Sequence, residues 1–288
     1  MITVKEIPAF HEASRTLVQG DGYIYLLPHP ALRNWISNYT ITFPDACMMS
    51  DRYTVIPHGC ATLVLSYGGG AFSGSLFGPA TKPACIGRNA NRLHFLLIVE
   101  FQPAGYYAFS GMPQNELTDT VNDFEAVHPT LSRLMTRHME TAMDIHTLIA
   151  ETDRLLLAHL KTAYVRDSFS LAHRMIVNSG GQVPVKALSQ STFYSERHLG
   201  RIFGEYMGVS VKSFSRLVRV NKAIRLLKQP HCSATQAYLQ TGYYDMPHFI
   251  HDFKSICGIT PQEYRDNLSD FYSEIAKFQR IMKKNEKE

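Results

Sequence analysis

The sequence predicts an α+β protein of two domains: an N-terminal antiparallel β barrel or sandwich with linking helices, then an all-α domain holding two helix-turn-helix units. Three observations predict this. The 288 residues are enough for about two domains. Strand-like runs crowd residues 18–110, and helical spacing takes over after residue 121. Charge also changes along the chain. Residues 1–164 hold 11 Lys and Arg against 14 Asp and Glu, net −3, whereas residues 165–265 hold 13 against 6, net +7. Residues 266–288 balance at 5 against 5. An acidic half joined to a basic one suggests two tasks, one of them beside a polyanion. A hydrophobic content of 45% with 19% charged residues excludes wholesale disorder.

Taken in order, Tyr23–Leu27, Tyr39–Phe43, Tyr53–Ile56, Ala61–Tyr67 and His94–Phe101 are short runs of aromatic and β-branched residues. Pro28, Pro44-Asp45, Gly59, Gly68-Gly69-Gly70 and Asn89 punctuate them as turns. Many short strands separated by turns fit a barrel or sandwich. Val121–Thr141 and Met143–Tyr164 carry apolar residues at helical spacing and predict helices over about 121–164, completing an N-terminal sensory domain of residues 1–164. Beyond residue 166 no strand pattern survives. Lys212–Lys228 places Phe214, Leu217, Val220 or Asn221, Ile224 and Leu227 on one stripe, an amphipathic helix with basic surroundings. In the tail, Leu268, Phe271, Ile275, Phe278 and Met282 follow 3-4 spacing, which predicts a helical extension over 266–288.

Two stretches of the basic region share one layout. Val185–Gln190 precedes a turn and a helix opening at Ser195 and ending at Gly208; Ser233–Gln240 precedes a turn and a helix opening at Asp245 and ending at Gly258. Ser195 and Asp245 are good N-caps. Leu199 with Phe203, and Phe249 with Phe253, are i,i+4 apolar pairs that bury one face of each second helix. The opposite faces carry Arg197, His198 and Arg201, then His248 and His251. This is the layout in which a second helix enters a DNA major groove. A connecting helix of ~18 residues spans ~27 Å, comparable to the ~34 Å between successive major-groove faces.

Residues 166–265 resemble the AraC/XylS transcription regulators. The first unit matches through Ser195, Arg197-His198-Leu199, Arg201, Phe203 and Gly208. The second matches through Gly242-Tyr243, Asp245, His248-Phe249, Phe253-Lys254, Gly258, Thr260-Pro261 and Tyr264-Arg265. The resemblance implies a bipartite domain, residues 165–265, that binds double-stranded promoter DNA in an activator or repressor, with RNA polymerase as a partner. It also implies an N-terminal sensor for a small-molecule effector and a homodimer. Carried across by position, base-reading slots fall on Arg197, His198, Gly200 and Arg201, then on Met246, Pro247, His248 and His251. Arg suits guanine O6 and N7, whereas Met246 and Pro247 stand where the family usually has polar side chains and His251 replaces a usual Arg. Most discrimination is therefore expected from the first unit, with the second expected mainly to contact phosphates or to read thymine methyls through Met246. Ala237 and Tyr238 depart from the family pattern in the second supporting helix. Lys186, Ser195 and Lys254 are candidates for phosphate contact.

Each residue has a plainer reading beside this one. A basic helical surface can be a solvated face, and His198 suits a buried structural role as well as a base contact. Trp35, Tyr39, Tyr53 and Tyr67 could line an effector pocket or simply fill a core. A regulator switched by a protein partner is the alternative to a small ligand. A DNA-repair or other enzyme fused to a DNA reader is a third reading, weakened by the absence of a reactive Pro-Cys-His. No G-x-S-x-G or H-E-x-x-H occurs, so no enzyme is expected. The 13 histidines include no H-x-H pair, and His29, His58 and His94 stand apart, so neither a metal nor a cofactor is expected. Gly68-Gly69-Gly70 lacks a following Lys-Ser/Thr, which favours a hairpin over a phosphate cradle. The 5 cysteines are scattered, with no C-x-x-C pair. With the N-terminus MITVKEIPAF and no long apolar stretch, they point to a cytoplasmic protein away from membranes.

Overall fold

Short strands come first in the chain because its early residues alternate β-branched and aromatic side chains between turn formers. The structure is a computed structural model that describes residues 2–44, 50–229, 231–267 and 271–272. After a one-turn helix α1 (Glu6–Ala9) come β1 (Thr16–Gln19), β2 (Tyr23–Leu26), β3 (Ile36–Thr42), β4 (Thr54–Val55), β5 (Thr62–Gly68), β6 (Ala71–Phe77) and β7 (Ala84–Cys85). Helix α2 (Gly87–Ala90), β8 (Phe95–Phe101), α3 (Gly105–Ser110), β9 (Val121–Asp123), α4 (Phe124–Val127), α5 (Pro129–Thr141) and α6 (Ile145–His159) follow. Seven strands form one antiparallel sheet in the order β1-β2-β3-β8-β5-β6-β9. Gly69 and Gly70 make the two-residue loop between β5 and β6 with φ +59° and +81°. That tight hairpin needs positive φ at both central positions, which glycine supplies without strain.

The sheet buries Ile24, Tyr39, Ile41, Leu63, Leu65, Leu97 and Val99, and α6 closes over this core with Leu148, Ile149, Leu155 and Leu156. Helix and sheet are also tied by one buried carboxylate. Asp153 sits 2.8 Å from Arg15 Nη2 and accepts from the Tyr39 hydroxyl at 2.7 Å and the His29 amide at 2.9 Å. Within the N-terminal domain four described strands lie outside the runs legible in the sequence: β1, β6, β7 and β9. In β6 the Gly and Ser content hides the strand, and pairing with β5 decides it. Val121–Asp123, expected to begin a helix, is instead β9 on β6, and the helix starts at Phe124 with Asp123 as its N-cap.

The second domain comprises α7 (Asp167–Asn178), α8 (Val185–Thr192), α9 (Glu196–Met207), α10 (Val211–Leu227), α11 (Ala234–Thr241), α12 (Met246–Cys257) and α13 (Pro261–Asp266). It has two cores, and α10 serves both. Phe214 and Val218 join Phe169, Ile176, Leu188, Leu199 and Phe203, whereas Leu217, Val220, Ile224 and Leu227 join Ala237, Phe249, Phe253 and Tyr264. The apolar stripe read from the sequence is thus the spine of the domain. The N-terminal domain reaches both cores, with Ala104 in the first and Ile56 in the second. Within the expected helical extension, Phe271–Tyr272 form a short strand, β10, parallel to β4. Strand pairing replaces the heptad reading there, and Leu268, Ile275, Phe278 and Met282 lie outside the described residues. Among the described residues no helix is long and apolar enough to cross a membrane.

Candidate nucleic-acid interface

Each candidate reading helix is positioned by the same three devices: a supporting helix, a left-handed residue at the turn, and a side-chain N-cap. In the first unit α8 ends at Phe193 with φ 58° and ψ 26°, and the Ser195 side chain accepts from the His198 amide at 3.2 Å. Leu199, Ile202, Phe203, Tyr206 and Met207 bury the inner face of α9. Arg197 and Arg201 are exposed, and His198 is half-buried with its ring 4.4 Å from Tyr194. Arg201 Nη2 lies 3.5 Å from His198 Nδ1, and Nη1 lies 3.8 Å from Glu205 Oε2. A Cβ at Gly200 or Gly204 would meet nothing within 4 Å, so backbone is open to close approach on this side of α9.

In the second unit α11 opens with a Ser233–Gln236 capping box and ends at Gly242, φ 71° and ψ 27°. Asp245 accepts from the His248 amide at 2.7 Å, and Pro247 occupies the first turn, where no amide partner is needed. His248 and His251 face outward, as does Lys254. Met246, the candidate for reading thymine methyls, is half-buried and packs against the second core. One residue missed by the sequence reading organises this helix. Asp252, 3% exposed, accepts from Arg216 Nε at 2.9 Å, and lies 3.6 Å from His248 Nε2 and 3.8 Å from His251 Nδ1. Aligning the two units at their N-caps puts Asp252 where the first has Ile202; that mismatch is the signal that could have found it.

The two units are held together beyond α10. Arg219 donates from Nη2 to the Gly181 carbonyl at 3.0 Å and lays its guanidinium 4.8 Å from the centre of the Tyr243 ring. The Gln182 side chain packs at Gly242. Of the phosphate candidates, Lys186 and Lys254 are exposed, whereas the Ser195 hydroxyl oxygen is engaged as the N-cap.

The N-terminal domain holds α9 from the other end. Thr118 Oγ1 donates to the Gly208 carbonyl at 2.7 Å, and a Cβ at Gly208 would strike Thr118 Oγ1 and the Gln114 carbonyl. The Tyr107 ring lies 4.5 Å from Tyr206, and its hydroxyl donates to Glu205 Oε1 at 3.3 Å. Burial, with Glu205 beside it, raises the Tyr107 phenol above its ordinary pKa. Pro83 lies against Gly258, the C-cap of α12.

Among the described residues, the four aromatic candidates for an effector pocket have separate surroundings. Tyr39 is fully buried and bonded to Asp153; Tyr67 packs on Phe72 and His94. Tyr53 accepts through its carbonyl from Ile86 and Gly87, and the half-buried Trp35 accepts from the Gln102 amide. An open cleft of about 340 Å³ between β6 and α5, lined among others by Ser73, Asp123, Arg133 and Arg137, includes none of them. Among the described residues no group of His, Cys, Asp and Glu is placed to hold a metal ion.

Residues 188–267 match a family profile described as a helix-turn-helix domain, and residues 25–123 match one described as a domain of unknown function. The chain is 32% identical over 79 residues to the HTH-type transcriptional regulator ArgR of Pseudomonas aeruginosa, covering 27% of this chain and 24% of that protein. It is 33% identical over 79 residues to the HTH-type transcriptional regulator GlxA of Rhizobium meliloti, with the same shares of 27% and 24%. It thus spans about a quarter of the length of these curated relatives. A solved structure of ToxT from Vibrio cholerae is similar at 12% identity and a TM-score of 0.41, over 76% of this chain and 95% of that one.

Proposed function

We propose that the chain, whose residues 188–267 match a helix-turn-helix profile, is a sequence-specific DNA-binding transcription regulator of the AraC/XylS type. One observation carries the reading: two N-capped helices, each with a polar outward face, ride on a single shared helix in the region of net charge +7. Base reading is assigned chiefly to Arg197 and Arg201. Their long side chains stand clear of the core on a face opened by Gly200. His198, His248 and His251 are secondary readers, and Lys186 and Lys254 meet phosphates.

The N-terminal domain is assigned the sensing role, for an effector that is a small molecule or a protein partner. Its route to the DNA is short: Tyr107 touches Glu205, which faces Arg201 one helical turn away. A signal that shifts α3 changes the partner available to a reading side chain. Two chains presenting this domain side by side, at a promoter engaged by RNA polymerase, complete the proposal.

The test is selection of duplexes bound by the full chain from a random pool, followed by binding titrations. Arg197→Ala and Arg201→Ala should each lose ~1–3 kcal/mol on the selected duplex and relax preference at one base pair. Lys186→Ala and Lys254→Ala should weaken all duplexes alike and flatten the salt dependence. If both arginine variants keep the parental affinity, these are not the reading residues.

A further inference from the structure

Each turn leading into a reading helix carries an aromatic ring standing almost free in solvent. Phe193 is 94% exposed and Tyr244 is 92% exposed. The two turns are otherwise built alike. Thr192 and Thr241 are buried and donate their hydroxyls to the carbonyls of Leu188 and Ala237, both at 2.8 Å. A left-handed residue follows each: Gly242 in the second unit, but Phe193 in the first. For a bulky side chain that backbone conformation is a strained outlier. Phe193 therefore combines two unfavourable features, strain and an unburied ring, where glycine would remove both. The second unit relieves the strain with Gly242 and adds one residue before its N-cap; that residue is Tyr244. Each unit thereby keeps one exposed ring just ahead of its reading helix: Phe193 two residues before the N-cap Ser195, and Tyr244 one before the N-cap Asp245.

Strain retained without a return inside the molecule points to a contact outside it. The rings flank the N-terminal ends of α9 and α12, the ends that carry the assigned reading groups, so the surface they meet is the duplex. We propose that Phe193 and Tyr244 are DNA-contacting residues, each ring laid against apolar surface of the duplex at the mouth of a major groove. That surface is either a deoxyribose edge or a thymine methyl. This inference rests on the DNA-binding reading above. It adds to that reading a contact that needs neither charge nor hydrogen bonds.

The experiment uses the full chain, with the parent and Phe193→Gly, Phe193→Asn and Tyr244→Ala variants. The thermal midpoint is measured beside affinity for the selected duplex, for a random duplex, and for the selected duplex with uracil in place of thymine. Glycine and asparagine both accept the left-handed conformation, so the Phe193 variants should hold or raise the midpoint while losing about tenfold in affinity. Tyr244→Ala should lose a similar factor. Equal loss on selected and random duplexes assigns the rings to deoxyribose; loss confined to the selected duplex and reproduced by uracil assigns them to thymine methyls. Affinity within about twofold of the parent for all three variants overturns the proposal. So does a lowered midpoint in both Phe193 variants, which would make the ring a structural group. If the parent itself binds no selected duplex, the DNA-binding reading fails first, and that outcome is distinct because the variants play no part in it.

Discussion

The two helix-turn-helix units are built to one plan and differ in what holds their outward faces. In the first, the inner side of α9 is apolar throughout its turns, and on its outward face Arg201 meets His198 and Glu205 of the same helix. In the second, a carboxylate replaces the apolar Ile202, and Asp252 gathers Arg216, His248 and His251 around itself. The first unit is instead restrained from behind, where Gln114, Thr118 and Tyr107 grip the end of α9. A face gathered on a buried carboxylate has less freedom to meet a base edge than one whose arginines meet only surface groups of their own helix. Under the proposed function, specificity then belongs to the first unit and a fixed, docking role to the second, with control at the unit that reads.

The largest expected effect comes from removing the centre of the second face. Asp252→Ala leaves Arg216 without its buried partner and should cost about 3 kcal/mol, read as a lower urea midpoint. An unchanged midpoint would break the contrast, because the second unit would then be held by its apolar core alone. Next is a pH dependence carried by α7 against the first core. The His173 ring stacks between Phe169 and Phe214 with its Nε2 sealed from solvent, and burial pushes its pKa down from 6.5 to about 4. The folded state disfavours the charged ring, so protons bind the unfolded chain first. The stabilisation is complete above pH 6.5 and is lost as pH falls toward 4, roughly 3 kcal/mol in all. His173→Leu should flatten that slope between pH 6.5 and 4.

The readout contrast is smaller. Where Arg197→Ala loses ~1–3 kcal/mol of DNA affinity, His248→Ala and His251→Ala should each lose less than about 1 kcal/mol. Equal losses in both units would turn the second from a docking element into a reader. Smallest is the grip on α9. Thr118→Val removes one hydrogen bond and should cost about 1 kcal/mol of stability. Its sharper readout is hydrogen exchange, which should quicken at the C-terminal turn of α9 and leave α12 unchanged.

Legibility along the chain follows the range of the interactions involved. The N-caps Ser195 and Asp245, the C-caps Gly208 and Gly258, and the stripe Phe214–Leu227 were all readable, because each depends on residues within about four positions of one another. The hairpin at Gly69-Gly70 was readable for the same reason. Strands β6 and β9 were not, since their pairing partners are set by the sheet and not by their own side chains. Nor was the packing of Met246 against the second core, which long-range contacts set.

What the amino-acid order determined by itself is the plan: a sheet-rich half, a basic helical half, and two capped helices repeated about one apolar spine. What only the tertiary structure decided is how each repeat is used. Asp252 becomes an anchor because Arg216, 36 residues earlier, is brought beside it. The end of α9 becomes a point of control because Thr118, 90 residues away, is bonded to Gly208. Local spacing sets which face of a helix is apolar; the neighbours that meet its polar face arrive from distant parts of the chain, and only packing brings them there.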